Sequence, residues 1–376
     1  MKNLWQLYGF EIKKILKNRL TLIMLAVTAV FIFIEAFIPK LYMTEEMIAF
    51  QRELDGQAID DDLLQKMYPT LIENGNVWTS ENAKYSEIAR IEKAILPDKE
   101  DITGYMAEEM YGSREEAIFS RMKEDDLSEA ELEWWKKENS KVNTPFTYQY
   151  YLGTINLAQG MSLTLMCIML IAALSLSTVF TIEHRQRTDQ LLISCKYGRS
   201  ETYFVKIAAG LSVVIGCCIA SAILLTLLIA VLYGINGLDA AVQLELPLSA
   251  YSFTMGQFIL VQMVVMLTAA ILFAVFSMAM SEIIKNSLAV MGIMVGIFVF
   301  SQLELIPPQY RMLNQMKSML PSNQISVWSL LEYRLVGVGG SYISSYVASP
   351  VIYLIISVIL IIAGKVAYDR FQVSGR

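Results

Sequence analysis

The stretch FTIEHRQRTDQLLISCKYGRSETYFVKI, Phe180 to Ile207, gathers charge between two runs that have none. On its two sides, Ala158–Ile182 and Ile207–Tyr233 contain no Asp, Glu, Lys or Arg. A bilayer core about 30 Å thick takes about 20 mostly apolar residues at about 1.5 Å each, and its lack of water obliges them to be helical. Both flanks meet that requirement, so the charged stretch reads as a link of about 24 residues, Glu183 to Lys206, between two membrane spans. The fold class follows from this reading.

Working outward, 55% of the 376 residues are hydrophobic and the mean hydropathy is +0.45, more than a soluble globular chain carries. Six segments qualify as spans: Leu20–Ile38, Ala158–Ile182, Ile207–Tyr233, Met255–Met280, Leu288–Leu303 and Val351–Tyr368. The expectation is an all-α integral membrane protein with six transmembrane helices and a large helical extracytoplasmic domain between the first and second. Charge supports the division. Residues 39–157 hold 25 of the 36 acids and 13 of the 30 bases, so the overall −6 averages an acidic insertion with a basic remainder. In the short connections the bases number five before the first span, five between the second and third, one between the fourth and fifth, and three at or after the end of the sixth. Gly234–Thr254 has none. The alternation puts both termini and the quoted link in the cytosol, and the acidic insertion outside.

Within Met1–Arg19, Leu4, Trp5, Tyr8, Ile12, Ile15 and Leu16 recur at helical spacing beside Lys13, Lys14, Lys17 and Arg19. This is the pattern of an interfacial helix; the alternative is that the bases only set topology. Residues 39–157 have helical grammar, with Tyr85, Ile88, Ile91 and Ile95 on one face and capping-box patterns at Ser113–Glu116 and Ser128–Glu131. Trp78, Trp134 and Trp135 are expected in a small core, the alternative being an apolar ligand, and Asp60–Asp62 at a solvated helix start, the alternative being a cation, for which the spacing of a calcium loop is lacking. Phe146, Tyr148, Tyr150 and Tyr151 read as an interfacial aromatic belt. Residues 304–350, broken by Pro307, Pro308, Pro321 and a Gly-Val-Gly-Gly turn, read as an extracytoplasmic loop. A short helix around Ser326–Leu335 in it is re-entrant or lies on the surface, the alternative being a plain surface loop.

Several function classes are disfavoured. No G-x-x-x-x-G-K-S/T cradles a phosphate, and neither H-E-x-x-H nor G-x-S-x-G occurs, so no catalytic, cofactor-binding or metal-ligating residues are nominated. The four cysteines, Cys167, Cys195, Cys217 and Cys218, and the single His184 lack ligand spacing. Bases form no stripe for nucleic acid. An ion-coupled carrier keeps acids at mid-membrane, whereas Glu35, Glu282 and Glu304 lie near span ends.

The link itself carries Leu191, Leu192 and Ile193 between polar flanks, an apolar ridge suited to docking, with Gly198 allowing a turn. Here the sequence resembles the permease subunits of ABC-2-type (type V exporter-like) ABC transporters, in which a cytosolic coupling helix joins the second and third spans. Glu183, Thr188, Leu191, Leu192, Arg199 and Lys206 fall on that family's pattern. Arg187 replaces the usual Gly, and Lys196 the usual Pro. The resemblance extends to the six spans, the leading interfacial helix, the large insertion and the irregular segment before the last span.

The resemblance implies a membrane subunit of an ATP-driven exporter in a bacterial plasma membrane. A separate cytosolic ABC ATPase, holding ATP and Mg, would grip the link through Glu183, Arg187, Thr188, Leu191, Leu192 and Arg199. Two permease chains, identical or not, would enclose the cargo path against membrane lipid. Gly210, Gly216 and Ala269–Ala270 would allow close helix approach, and Met255, Met263, Met266, Met278 and Met280 would give either a soft lining or plain packing. The uncharged spans suit a hydrophobic or amphipathic cargo such as a lipid, drug or antimicrobial peptide. Sodium efflux within the same family is an alternative, as are a sensor whose outer domain binds a peptide and a lone ion-coupled carrier.

Overall fold

The computed structural model describes residues 2–74, 83–96, 104–186, 188, 201–303, 306 and 310–370. It is mostly helical. In chain order, α1 (Lys2–Leu16) leads into α2 (Arg19–Phe37) and the short α3 (Pro39–Tyr42). Five helices come next in the insertion: α4 (Glu45–Glu53), α5 (Asp61–Asn74), α6 (Ser86–Ile95), α7 (Ala107–Glu124) and α8 (Glu129–Asn139). Then come α9 (Leu152–Ile171), a π turn at Ala172–Leu176, α10 (Thr181–Gln186), α11 (Glu201–Leu232), α12 (Met255–Ile284) and α13 (Ser287–Gln302). The chain closes with α14 (Arg311–Ser318), α15 (Pro321–Gln324), an antiparallel hairpin of β1 (Leu335–Val338) and β2 (Ser341–Ser344), and α16 (Ser345–Arg370).

Among the described residues five helical stretches are long and apolar enough to cross a membrane: Arg19–Tyr42, Leu152–Gln186, Glu201–Leu232, Met255–Ile284 and Ser345–Arg370. The sixth expected span corresponds to α13, which is apolar but only 16 residues long, about 24 Å at about 1.5 Å per residue. Leu152–Gln186 and α12 are the most enclosed of the long helices, α2 and α16 the least. Polar caps set several boundaries. Asn18 accepts from the Leu20 amide at 3.1 Å, Thr254 and Gln257 form a capping box at the start of α12, and Asn286 accepts from Leu288 and Ala289 at 3.0 and 3.3 Å. Lys285, at φ 56°, turns the chain between α12 and α13.

Four expectations are corrected in shape. The link expected over Glu183–Lys206 is shorter, because α10 continues the second span past Glu183 and α11 already begins at Glu201. Phe146, Tyr148, Tyr150 and Tyr151 are buried rather than set in a membrane-facing belt: Gly56 donates to Tyr148 and Ile59 to Phe146, at 2.9 and 2.7 Å, so this run pairs with the segment that follows α4. Ser113 lies inside α7, whose start is capped by Asp61 Oδ1 accepting from Ala107 N at 2.6 Å; the box at Ser128–Glu131 is present. The segment before the last span departs from all-α through the hairpin, and a 3-10 turn at Val327–Leu331 stands where a helix over Ser326–Leu335 was expected.

The insertion packs around Leu54, Leu64, Met67, Ile88, Ile91, Met110, Ile118 and Met122, all buried. Trp135 is fully buried with ring centroids 4.9 Å from Trp134 and Tyr251 and 5.6 Å from Tyr333, so this core is shared with the later connections; Trp78 lies outside the described residues. Such edge-to-face stacks add about 0.5–1.5 kcal/mol each beyond area burial.

Candidate functional site

Two of the six nominated docking residues, Glu183 and Thr188, lie in the described part of the chain; Arg187, Leu191, Leu192 and Arg199 lie outside it. Glu183 stands one helical turn after Val179, so both face the same neighbour. That neighbour is Lys206 of α11. Its ammonium pairs with Glu183 Oε2, donates to the Val179 carbonyl at 3.2 Å and lies 5.0 Å from the Phe180 ring centroid. No part of the Lys206 side chain reaches solvent. The other carboxylate oxygen, Oε1, accepts from Lys14 Nζ at 2.9 Å, and Lys14 lies 3.5 Å from Glu11 Oε2, three residues back on α1. Two acids and two bases thus knot the leading helix to both ends of the link. Thr188 N donates to the Glu183 carbonyl at 3.0 Å and closes the last turn of α10.

Burying a lone ammonium costs several kcal/mol, which is repaid only by good geometry and full hydrogen bonding. Lys206 has both. Beside the knot, Tyr203 Oη donates to the Ile361 carbonyl at 2.8 Å, and the rings of Phe180, Tyr203 and Tyr368 lie 5.5–6.0 Å apart. Gly364 makes the approach possible, since a Cβ there would sit 2.6 Å from Tyr203 Oη. The first turns of α11 are therefore held by α1, α10 and α16 together.

At the opposite end of the bundle the insertion is bolted to the connection between α11 and α12. Arg114, buried, donates to the carbonyls of Pro247 and Ser249 at 2.7 Å each and to Asn139 Oδ1 at 3.0 Å; burial lowers its guanidinium to about 10, still charged at neutral pH. Arg90 donates to Leu244 O at 2.7 Å, Glu245 O at 3.0 Å and Tyr151 Oη at 2.9 Å. Burial pushes the neighbouring Glu245 carboxyl up, against the attraction of Arg90.

Glu11, Lys14, Tyr203 and the two arginines were not nominated from sequence. Glu11 had one usable signal, a lone acid on the Tyr8–Ile12–Ile15 side of an otherwise basic helix; Lys14 had none beyond its charge. Met255, Met266 and Met278 are buried against neighbouring helices, and Met263 and Met280 partly so, which is packing within one chain. Among the described residues no group of three or more His, Cys, Asp or Glu is placed to hold a metal ion.

A family model described as ABC-2 family transporter protein matches residues 5–372. No curated protein and no solved structure matches the chain. With apolar helices of spanning length and a match over nearly all of its residues, the chain belongs to the ABC-2 family of transporter membrane proteins.

Proposed function

We propose that this chain is the permease subunit of an ATP-driven exporter in which residues 187–200 receive the force of a separate ATPase. Family membership implies partnership with an ABC ATPase subunit, and the chain itself has no phosphate-cradling loop for ATP; ATP and Mg belong to the partner. The observation that carries the mechanism is the knot at Glu183. A push on the link meets Glu183 and Lys206 at its two ends, and their pairing with Lys14 transmits it to α1, α10 and α11 as one unit. Glu183 is in this reading a positioning residue, since both of its oxygens are engaged within the chain. Leu191 and Leu192 supply the apolar contact to the ATPase, with Arg187, Thr188 and Arg199 around them.

Both termini are cytosolic in this reading and the insertion is extracytoplasmic, as the positive-inside count requires. Six spans cross the membrane, the short α13 among them. A second permease chain, identical or not, covers the faces that α2 and α16 leave bare, and the cargo, hydrophobic or amphipathic, passes between the two. The Arg90 and Arg114 bolts then make the insertion follow α11 and α12 as they move. The test is affinity purification of the intact chain with and without Leu191→Asp/Leu192→Asp. An ATPase subunit is expected with the parent chain and absent from the variant; its retention by the variant overturns the docking assignment.

A further inference from the structure

A cavity of about 840 Å³ opens beside the knot, between the α1–α2 elbow, the end of α10 and the α12–α13 turn. Its lining is net positive: Lys14 and Glu11 are engaged within the knot, Lys14 with Glu183 as well, and Lys17, Arg185 and Lys285 stand beside them with no further acid in the lining. Low-dielectric walls focus the field of such a cluster, and the starts of α2 and α13 add partial positive charge at the same place. The mouth differs in character. Leu288, largely exposed, and Leu20, about one-third exposed, are the apolar lining side chains that reach the surface, where a pocket made for a soluble ion would be rimmed by polar groups.

We propose that this cavity holds the phosphate headgroup of an anionic phospholipid, with the acyl chains leaving past Leu20 and Leu288. The bases supply charge-assisted hydrogen bonds to phosphate oxygens, and basic pockets between membrane helices are suited to such headgroups. The leaflet is the cytosolic one if the orientation proposed above holds; the binding itself does not depend on it. A lipid seated here bridges the α1–α2 elbow to the α12–α13 turn and so braces the Glu183 knot from its open side.

Native mass spectrometry of the full-length chain in detergent tests this, with phosphatidylglycerol, phosphatidylcholine and inorganic phosphate as probes. Phosphatidylglycerol is expected to be retained in preference to phosphatidylcholine, and Lys17→Gln/Arg185→Gln/Lys285→Gln to weaken it on the order of a hundredfold while leaving phosphatidylcholine unchanged. Leu288→Gln, at an exposed position that folding does not depend on, is expected to weaken long-chain phosphatidylglycerol more than a short-chain form, and it decides the matter if the triple variant does not fold. Equal retention of the two lipids, parent-like binding by the triple variant, or displacement by inorganic phosphate overturns the proposal. So does loss of a co-purifying ATPase with lipid binding intact, which assigns the face to the ATPase. The lipid measurement needs no ATPase, so its failure is distinct from failure of the Leu191/Leu192 test.

Discussion

Lys206 Nζ and Glu183 Oε2 form an ion pair between the start of α11 and the end of α10, with the lysine side chain wholly enclosed. The asymmetry of the pair decides what its removal does. Glu183 keeps Lys14 if Lys206 is lost, whereas Lys206 keeps the Val179 carbonyl and the Phe180 ring but no anion paired with it if Glu183 is lost. Glu183→Gln is therefore expected to destabilise the chain by about 3–5 kcal/mol and Lys206→Met by less, with Glu183→Gln/Lys206→Met closer to the parent than Glu183→Gln alone. Thermal inactivation of the detergent-purified variants measures this. If the two effects simply add, the residues are not coupled and the knot carries no force.

Arg114→Ala should loosen the far end of the molecule without touching the near end. The substitution strands the buried Pro247 carbonyl, at about 1–3 kcal/mol, and leaves the Ser249 carbonyl only the Gln243 side-chain amide at 3.1 Å. Hydrogen exchange of the amides from Leu248 to Tyr251 is expected to speed up at least tenfold, while exchange around Thr181–Glu183 stays as in the parent. Unchanged exchange at Leu248–Tyr251 would show that the bolt is ornamental.

How much of the fold and site was legible in the sequence depends on where each residue's partner lies. The spans were readable because Ala158–Ile182 and Ile207–Tyr233 carry no charge at all. Their ends were not, since Glu201–Lys206 looked like a solvated link and is helix, with Lys206 buried against an acid 23 residues away in sequence. The capping box at Ser128 was local and readable; the start of α7 depends on Asp61, 46 residues earlier, and no local motif announces it. The aromatic run at Phe146–Tyr151 has the composition of a membrane belt, but its backbone partners lie near Asp55–Ile59. Glu183 stands out in the sequence through the family pattern alone. Its pairing with Lys14, 169 residues away, could not be read from spacing.

Gly153→Ala should be among the most damaging small substitutions. A Cβ at Gly153 would lie 1.9 Å from the Gly234 carbonyl oxygen, so the start of α9 and the end of α11 would have to part. Overpacking of this kind costs about 1–3 kcal/mol or more, because backbone, unlike a long side chain, cannot swing aside. Gly216→Ala, with nothing within 4 Å, is the control and is expected to be neutral. Yields of monodisperse protein in size-exclusion chromatography compare the two, and equal yields would contradict the close approach.

Glu92 makes the insertion sensitive to pH. Its side chain is fully buried in α6; Oε1 lies 2.8 Å from Tyr68 Oη and Oε2 has no hydrogen-bond partner. Tyr68 has one proton and two acceptors at 2.8 Å, Glu92 and the Tyr105 carbonyl. Protonating Glu92 completes the chain, with the carboxyl donating to Tyr68 and Tyr68 to Tyr105. Burial accordingly pushes the Glu92 carboxyl up to about 7, partly offset by the Tyr68 hydrogen bond. The native state then holds this proton up to about pH 7, whereas the unfolded chain releases it near 4.5. The contribution is full below about 4.5, and stability falls as pH rises through about 7, by roughly 3 kcal/mol in all. Glu92→Gln keeps a donor for Tyr68 and carries no charge. It is expected to be more stable than the parent at pH 8, with the advantage shrinking steadily toward pH 5. Thermal unfolding of the full chain and of the variant across that range measures the difference, and a difference independent of pH would mean that Glu92 is ionised throughout.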